Sequence, residues 1–150
     1  MKAHFRKIIW IVFLIYIACM MYFLFFSESY GRTDISGYRY NLKPFSEITR
    51  YIRYHNSIGN WHFILNIIGN VVAFVPFGLF MPVLVNSYRH FFTTFFGGIL
   101  FSLCIETIQL VFKVGSFDID DVLLNVCGII IGFLLFHLFV CIRNKVICDE

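Results

Sequence analysis

Four apolar runs, each long enough to cross a lipid bilayer, occupy most of this 150-residue chain. They lie at about 8–26, 62–85, 91–113 and 119–142, and a bilayer-crossing helix needs about 20 apolar residues. Inside hydrocarbon every backbone N–H and C=O must find a partner, so runs of this kind fold as helices. The polar residues are too few for any alternative: 59% of the chain is hydrophobic and 14% charged, where soluble domains carry about a quarter charged residues. Such a chain cannot cover a water-facing surface, and lipid must cover much of it. A soluble globular domain is excluded. The expected fold is a single all-α membrane domain over residues 1–150, with four transmembrane helices and a short amphipathic interfacial helix in the first loop, about 27–61.

The first run follows Lys2, Arg6 and Lys7 and ends in Phe25-Phe26-Ser27-Glu28, without the small residues of a signal cleavage site. It reads as an uncleaved anchor. The connections at 86–90 and 114–117 are short, so the last three spans form an antiparallel series. One face of the membrane then carries Lys2, Arg6, Lys7, Arg89, Arg143 and Lys145, and the other Arg32, Arg39, Lys43, Arg50, Arg53 and Lys113, six each. Because the first span usually dominates orientation, its basic N-terminal flank places both termini in the cytoplasm of a plasma-membrane protein. No basic run with aromatic interleaving suggests a nucleic-acid partner. The five cysteines show neither a CxxC nor a Cys/His spacing and read as small buried hydrophobes.

In the first loop, Pro44 suits a first helical position, and Phe45, Ile48 and Ile52 recur at helical spacing. That pattern predicts a helix over about 44–54 lying in the interface. The polar residues inside the spans are more informative still. His62, Asn66 and Asn70 recur every four residues; Ser102, Glu106, Gln109 and Lys113 follow at four, three and four; Asp118, Asp121, Asn125, Gly128 and Gly132 follow at three, four, three and four. Each set occupies one face of its helix. The sets lie at the start of the second span, the end of the third and the start of the fourth, so antiparallel packing brings all three to the membrane face that holds the 27–61 loop. A carboxylate at mid-span costs about 2.5–3.5 kcal/mol on insertion scales, and Glu106 lies about 10 Å along the helix from Lys113 at 1.5 Å per residue. Facing one another, these groups form hydrogen bonds in place of lipid contact. The expectation is a polar pocket in one leaflet formed by His62, Asn66, Asn70, Glu106, Gln109, Lys113, Asp118, Asp121 and Asn125.

Each of these residues has a structural alternative. Asp118 as N-cap and Asp121 as an acid in the first turn would serve the helix itself. Asn66 and Asn70 would serve as interhelical glue, and Gly128 and Gly132 as a small-xxx-small contact. Lys113 reads most simply as a snorkelling interfacial residue, Asp120 as solvated and off the stripe, and Pro76 as a kink in the second span. Glu106 is the hardest to explain as scaffolding. Glu106 and Asp121 are the candidate catalytic groups for acid–base work, yet no HExxH, nucleophile elbow or phosphate loop accompanies them. No metal site and no cofactor is implied.

These residues also carry a resemblance. Asn41-Leu42-Lys43-Pro44-Phe45, the Asn70-to-Gly78 segment with Phe74 and Pro76, Glu106-Thr107-Ile108-Gln109, and Gly115-Ser116-Phe117-Asp118-Ile119-Asp120-Asp121 followed by Asn125 and Gly128 are similar in order and placement to the motifs of the VanZ-like family. Many relatives carry an arginine just before the acidic motif, where this chain has Gly115, with Lys113 two residues earlier. The family is named for a teicoplanin-resistance protein. The resemblance implies a multi-pass resistance factor that acts at the outer face and reduces access of lipoglycopeptide antibiotics to cell-envelope targets. Its partners would be the lipid bilayer and either such a drug or a lipid-linked envelope precursor. Two other readings stay open: a membrane-embedded enzyme modifying that precursor, and a non-catalytic, partner-binding membrane subunit.

Overall fold

The computed structural model describes residues 3–26, 38–46, 49–50 and 67–148. Among them the chain is helical apart from one short strand pairing. Helix α1 spans Ala3–Phe26, α2 Gly69–Leu84, α3 Phe91–Val111 and α4 Ile119–Cys148, with a 3-10 turn at Asn86–Arg89 between α2 and α3. Three of these helices are long and apolar enough to cross a membrane, over His4–Phe23, Phe91–Val111 and Ile119–Val146. Helix α2 is apolar but only 16 residues long, about 24 Å at helical rise against a hydrocarbon core of about 30 Å. It covers 69–84 of the span expected at 62–85, and residues 61–66 lie outside the described set.

Glycine decides how α2 and α4 meet. A Cβ on Gly128 would stand 2.1 Å from the Val71 carbonyl oxygen, one on Gly132 2.0 Å from that of Val75, and one on Gly78 2.0 Å from that of Ile129. Only hydrogen fits at these three places, so the two helices touch backbone to backbone. Their contacts advance in step, 71 to 75 as 128 to 132, so α2 and α4 run parallel, as the two short connections through α3 require. Helix α4 also packs on α3, where Ile129 is fully buried beside Gly98. Helix α1 lies against α2 through Phe13, Tyr16 and Met20. The Tyr16 hydroxyl donates to the Ala73 carbonyl at 2.7 Å, three residues before Pro76. Pro76 and Pro82 both sit within α2 without ending it.

The outward faces are apolar: Phe92, Leu100, Leu134 and Phe139 are all exposed. The cysteines correct an expectation, since Cys19, Cys104, Cys127 and Cys141 are free and exposed rather than packed inside. Where lipid covers the outside, a small apolar side chain gains little by burial.

Candidate functional site

The site begins where α3 stops. The Val114 N–H bonds to the Gln109 carbonyl and the Lys113 N–H to the Leu110 carbonyl, the paired bonds of a Schellman ending. Lys113 takes its left-handed position with φ 56°, which usually belongs to glycine. The chain turns out of the helix there, so Lys113 leaves the face shared by Ser102, Glu106 and Gln109. It is exposed, its ammonium 5.1 Å from the centre of the Tyr38 ring.

The chain then forms β2, Phe117–Asp118, which pairs in parallel with β1, Tyr40–Asn41, in the register Tyr40 to Phe117 and Asn41 to Asp118. The Phe117 N–H donates to the Arg39 carbonyl at 3.0 Å. Asp118 opens α4 as an N-cap does, its Oδ1 accepting from the Asp120 N–H at 2.8 Å. The Asn41 amide donates to the other Asp118 oxygen at 3.2 Å and to the Ser46 hydroxyl at 2.6 Å. Asp120 corrects the sequence reading: it is fully buried, and its carboxylate accepts the Phe45 N–H. Residues 38–46 cover that side of α4, which a view of one helix alone leaves open to solvent. Phe45 holds φ 63°, a left-handed backbone that costs a non-glycine residue about 1–2 kcal/mol, so the Asp120 bond fastens a strained turn. Of the interfacial helix expected at 44–54, Ser46, Thr49 and Arg50 are helical, and the Thr49 N–H bonds to the Phe45 carbonyl at 3.0 Å. Ile48 and Ile52 lie outside the described residues.

Beneath this cover three helices contribute polar side chains. The Asn70 amide donates to Asp121 at 2.7 Å, linking α2 to α4. The Asn125 amide donates to the Ser102 hydroxyl at 2.9 Å, linking α4 to α3. Glu106 is 3% exposed and accepts the Asp118 N–H at 3.4 Å, a long bond. Asn125 and Asp121 stand close enough to Glu106 to act on its carboxyl. Gln109 is buried one turn further on, against Gly115. Asn125 is 1% exposed, yet its Oδ1 has no hydrogen-bond partner among the described residues. Asn70, Glu106, Gln109, Asp118, Asp121 and Asn125 are therefore grouped at one end of the bundle. Lys113 is turned away from them, and His62 and Asn66 fall outside the described residues. Asn41, Ser46 and Asp120 join the site without having been singled out as site residues; for Asn41 the loop motif was the available signal.

Burial pushes the Asp118 carboxyl above its ordinary value of 3.8, against the hydrogen bonds from the Asp120 N–H and the Asn41 amide, with the Asp120 charge raising it further and Arg50 lowering it. A folded-state pKa above the unfolded one favours the protonated form in the fold. The stability contributed by this group is thus fully present below about pH 3.8 and is lost as pH rises through its folded pKa. Amide protection of Tyr40 and Asn41, corrected for intrinsic exchange, is expected to fall over that window, and Asp118→Asn to flatten the fall. An identical pH profile in wild type and Asp118→Asn would contradict this.

Chemically the site is rich in acceptors: the carboxylates of Glu106, Asp118, Asp120 and Asp121 gather at one end of the bundle. Among the described residues no three His, Cys, Asp or Glu side chains converge in a metal-holding group. Paired carboxylates and amides of this kind can exchange protons and accept hydrogen bonds from a polar ligand head.

The family model described as VanZ/LLP1 matches residues 13–140, and the chain belongs to that family. Protein VanZ of Enterococcus faecium is 29% identical over 127 residues, covering 83% of this chain and 70% of that protein. No solved structure matches the chain.

Proposed function

We propose that this member of the VanZ/LLP1 family is a four-span plasma-membrane protein of the antibiotic-resistance kind, acting at the outer face to lower the access of lipoglycopeptides to cell-envelope targets. Family membership and the relationship to Protein VanZ support the resistance role. The grouping of buried polar side chains from α2, α3 and α4 under the 38–46 segment is the observation that ties a role to particular residues. In this reading the chain crosses the membrane four times, and both termini are cytoplasmic. The site then opens on the extracytoplasmic leaflet, where the acyl tail of such a drug partitions.

Expression in a sensitive host tests this directly. The wild-type chain should raise the inhibitory concentration of teicoplanin more than that of vancomycin, which lacks the tail. Glu106→Gln and Asp121→Asn should return it to the empty-vector value with membrane abundance unchanged. Equal sensitivity with and without the wild-type protein would overturn the proposal. Loss of abundance in both variants would assign the cluster to folding. The proximity of Glu106 to Asp121 also suits a membrane-embedded enzyme acting on a lipid-linked envelope precursor, and a changed precursor profile in expressing cells would select that reading.

A further inference from the structure

The segment that covers the polar cluster turns large apolar side chains outward. Tyr38, Tyr40, Leu42 and Phe45 are 61–69% exposed, four bulky residues within a stretch of eight. Their backbone is fastened from below. The Phe117 N–H bonds to the Arg39 carbonyl, the Asn41 amide to Asp118 and Ser46, and the Phe45 N–H to Asp120. These bonds keep the same face outward, so the chain cannot fold it away. An exposed apolar surface of this kind marks contact with a partner or a membrane.

Two observations say what lies against it. The first is depth. The fastening points are Phe117, Asp118 and Asp120, at the start of the apolar stretch Ile119–Val146 and a short turn from the end of the stretch Phe91–Val111. The segment is thus held where two membrane-crossing helices begin and end, the level at which hydrocarbon gives way to headgroups. The second is composition. Exposed Val111 and Phe112 carry the lipid-facing side of α3 up to this level, and exposed Arg39, Lys43 and Lys113 interleave with the rings. Tyrosines, with an apolar ring and a polar tip, gather at the headgroup layer, and long cationic side chains reach past apolar neighbours toward it. The Lys113 ammonium, 5.1 Å from the centre of the Tyr38 ring, sets the two kinds side by side.

We infer that residues 38–45, together with Phe112, form an interaction surface whose partner is the headgroup layer of a phospholipid bilayer. Tyr40, Leu42 and Phe45 reach into the uppermost part of the acyl chains, and Arg39, Lys43 and Lys113 meet the phosphates. The helix expected at 44–54 assigned interfacial contact to Phe45, Ile48 and Ile52; this surface lies on the preceding half of the loop and on the end of α3. The polar cluster then sits beneath a cover that is itself immersed in the membrane. The inference stands on the fold alone and does not need the resistance reading.

Depth-dependent fluorescence quenching tests this on the full-length protein in phosphatidylcholine vesicles. The two native tryptophans, Trp10 and Trp61, are replaced by phenylalanine, and one reporter is introduced at a time as Tyr40→Trp or Phe45→Trp. Both positions are exposed, so the larger ring displaces no packed neighbour. Each reporter should lose more intensity to lipid brominated near the headgroup than to lipid brominated near the chain end, and little to acrylamide in the water. Leu100→Trp, exposed midway along α3, should reverse the order of the two lipids and so calibrates depth. Strong quenching by acrylamide at both loop positions, with neither lipid effective, would put the surface in water and overturn the inference. Insensitivity to all three quenchers would mean that protein covers it, a second copy or another part of this chain, and would overturn it equally. Teicoplanin protection is measured separately, so either proposal can fail while the other holds.

Discussion

Gly132→Ala destabilises the protein by about 2–3 kcal/mol, the upper part of the range for forcing extra volume into a packed interface. The sign is not obvious from local preference. Within a helix, alanine is favoured over glycine by about 1 kcal/mol, so an isolated α4 would gain. In the bundle the new methyl would lie 2.0 Å from the Val75 carbonyl oxygen and 2.8 Å from the Leu79 nitrogen. Both are backbone atoms and cannot rotate away. Relief requires α2 and α4 to separate, which pulls Asn70 from Asp121 at the same time. The loss should appear as an earlier unfolding transition in detergent and, on the function proposed above, as weaker teicoplanin protection. Gly97→Ala is the matched control. Its methyl meets first the ring and hydroxyl of Tyr88 at 2.7–2.9 Å, and a side chain can swing aside. If the two variants were equally stable, the backbone contact between α2 and α4 could not be what orders this bundle.

The sequence carries the two glycine positions and their spacing, but the partner has to come from the fold. Small residues four apart announce a close approach without naming what approaches. The long helices are legible because hydrophobic length is a strong signal: the third and fourth runs, read as 91–113 and 119–142, appear as Phe91–Val111 and Ile119–Cys148. The second is less so, being shown over 69–84. Helical spacing fails where the helix itself ends. Lys113 keeps the four-residue interval from Gln109, yet α3 closes at Val111 and the interval loses its meaning. Asp120 shows the converse problem. Counted around α4 it falls off the polar face, yet the face it does occupy is covered by residues 38–46, more than seventy positions away in sequence. The pairing of Tyr40–Asn41 with Phe117–Asp118 involves two residues on each side. Too short for any period to develop, it becomes visible only once α4 has been placed.

That distant cover is where the second large effect lies. Asp120→Ala removes the acceptor of the Phe45 N–H and leaves that N–H at the edge of a buried site. A hydrogen bond to a charged acceptor contributes about 1.5–3 kcal/mol, and here it also holds Phe45 in its left-handed conformation. With the bond gone, the strain favours release of the turn, and both changes act in one direction. The Phe45 amide should lose protection from hydrogen exchange by roughly 30-fold, the equivalent of about 2 kcal/mol. Tyr40 and Asn41 should follow, since their strand pairing closes over the same helix start. Asp120→Asn keeps an acceptor oxygen in place and should lose less. Because α2, α3 and α4 pack through contacts away from this turn, the bundle should stay folded while its polar end becomes open to water. Unchanged protection at Phe45 in Asp120→Ala would mean that the first loop is fastened elsewhere. Loss of the whole fold would mean that Asp120 supports the helices rather than their cover.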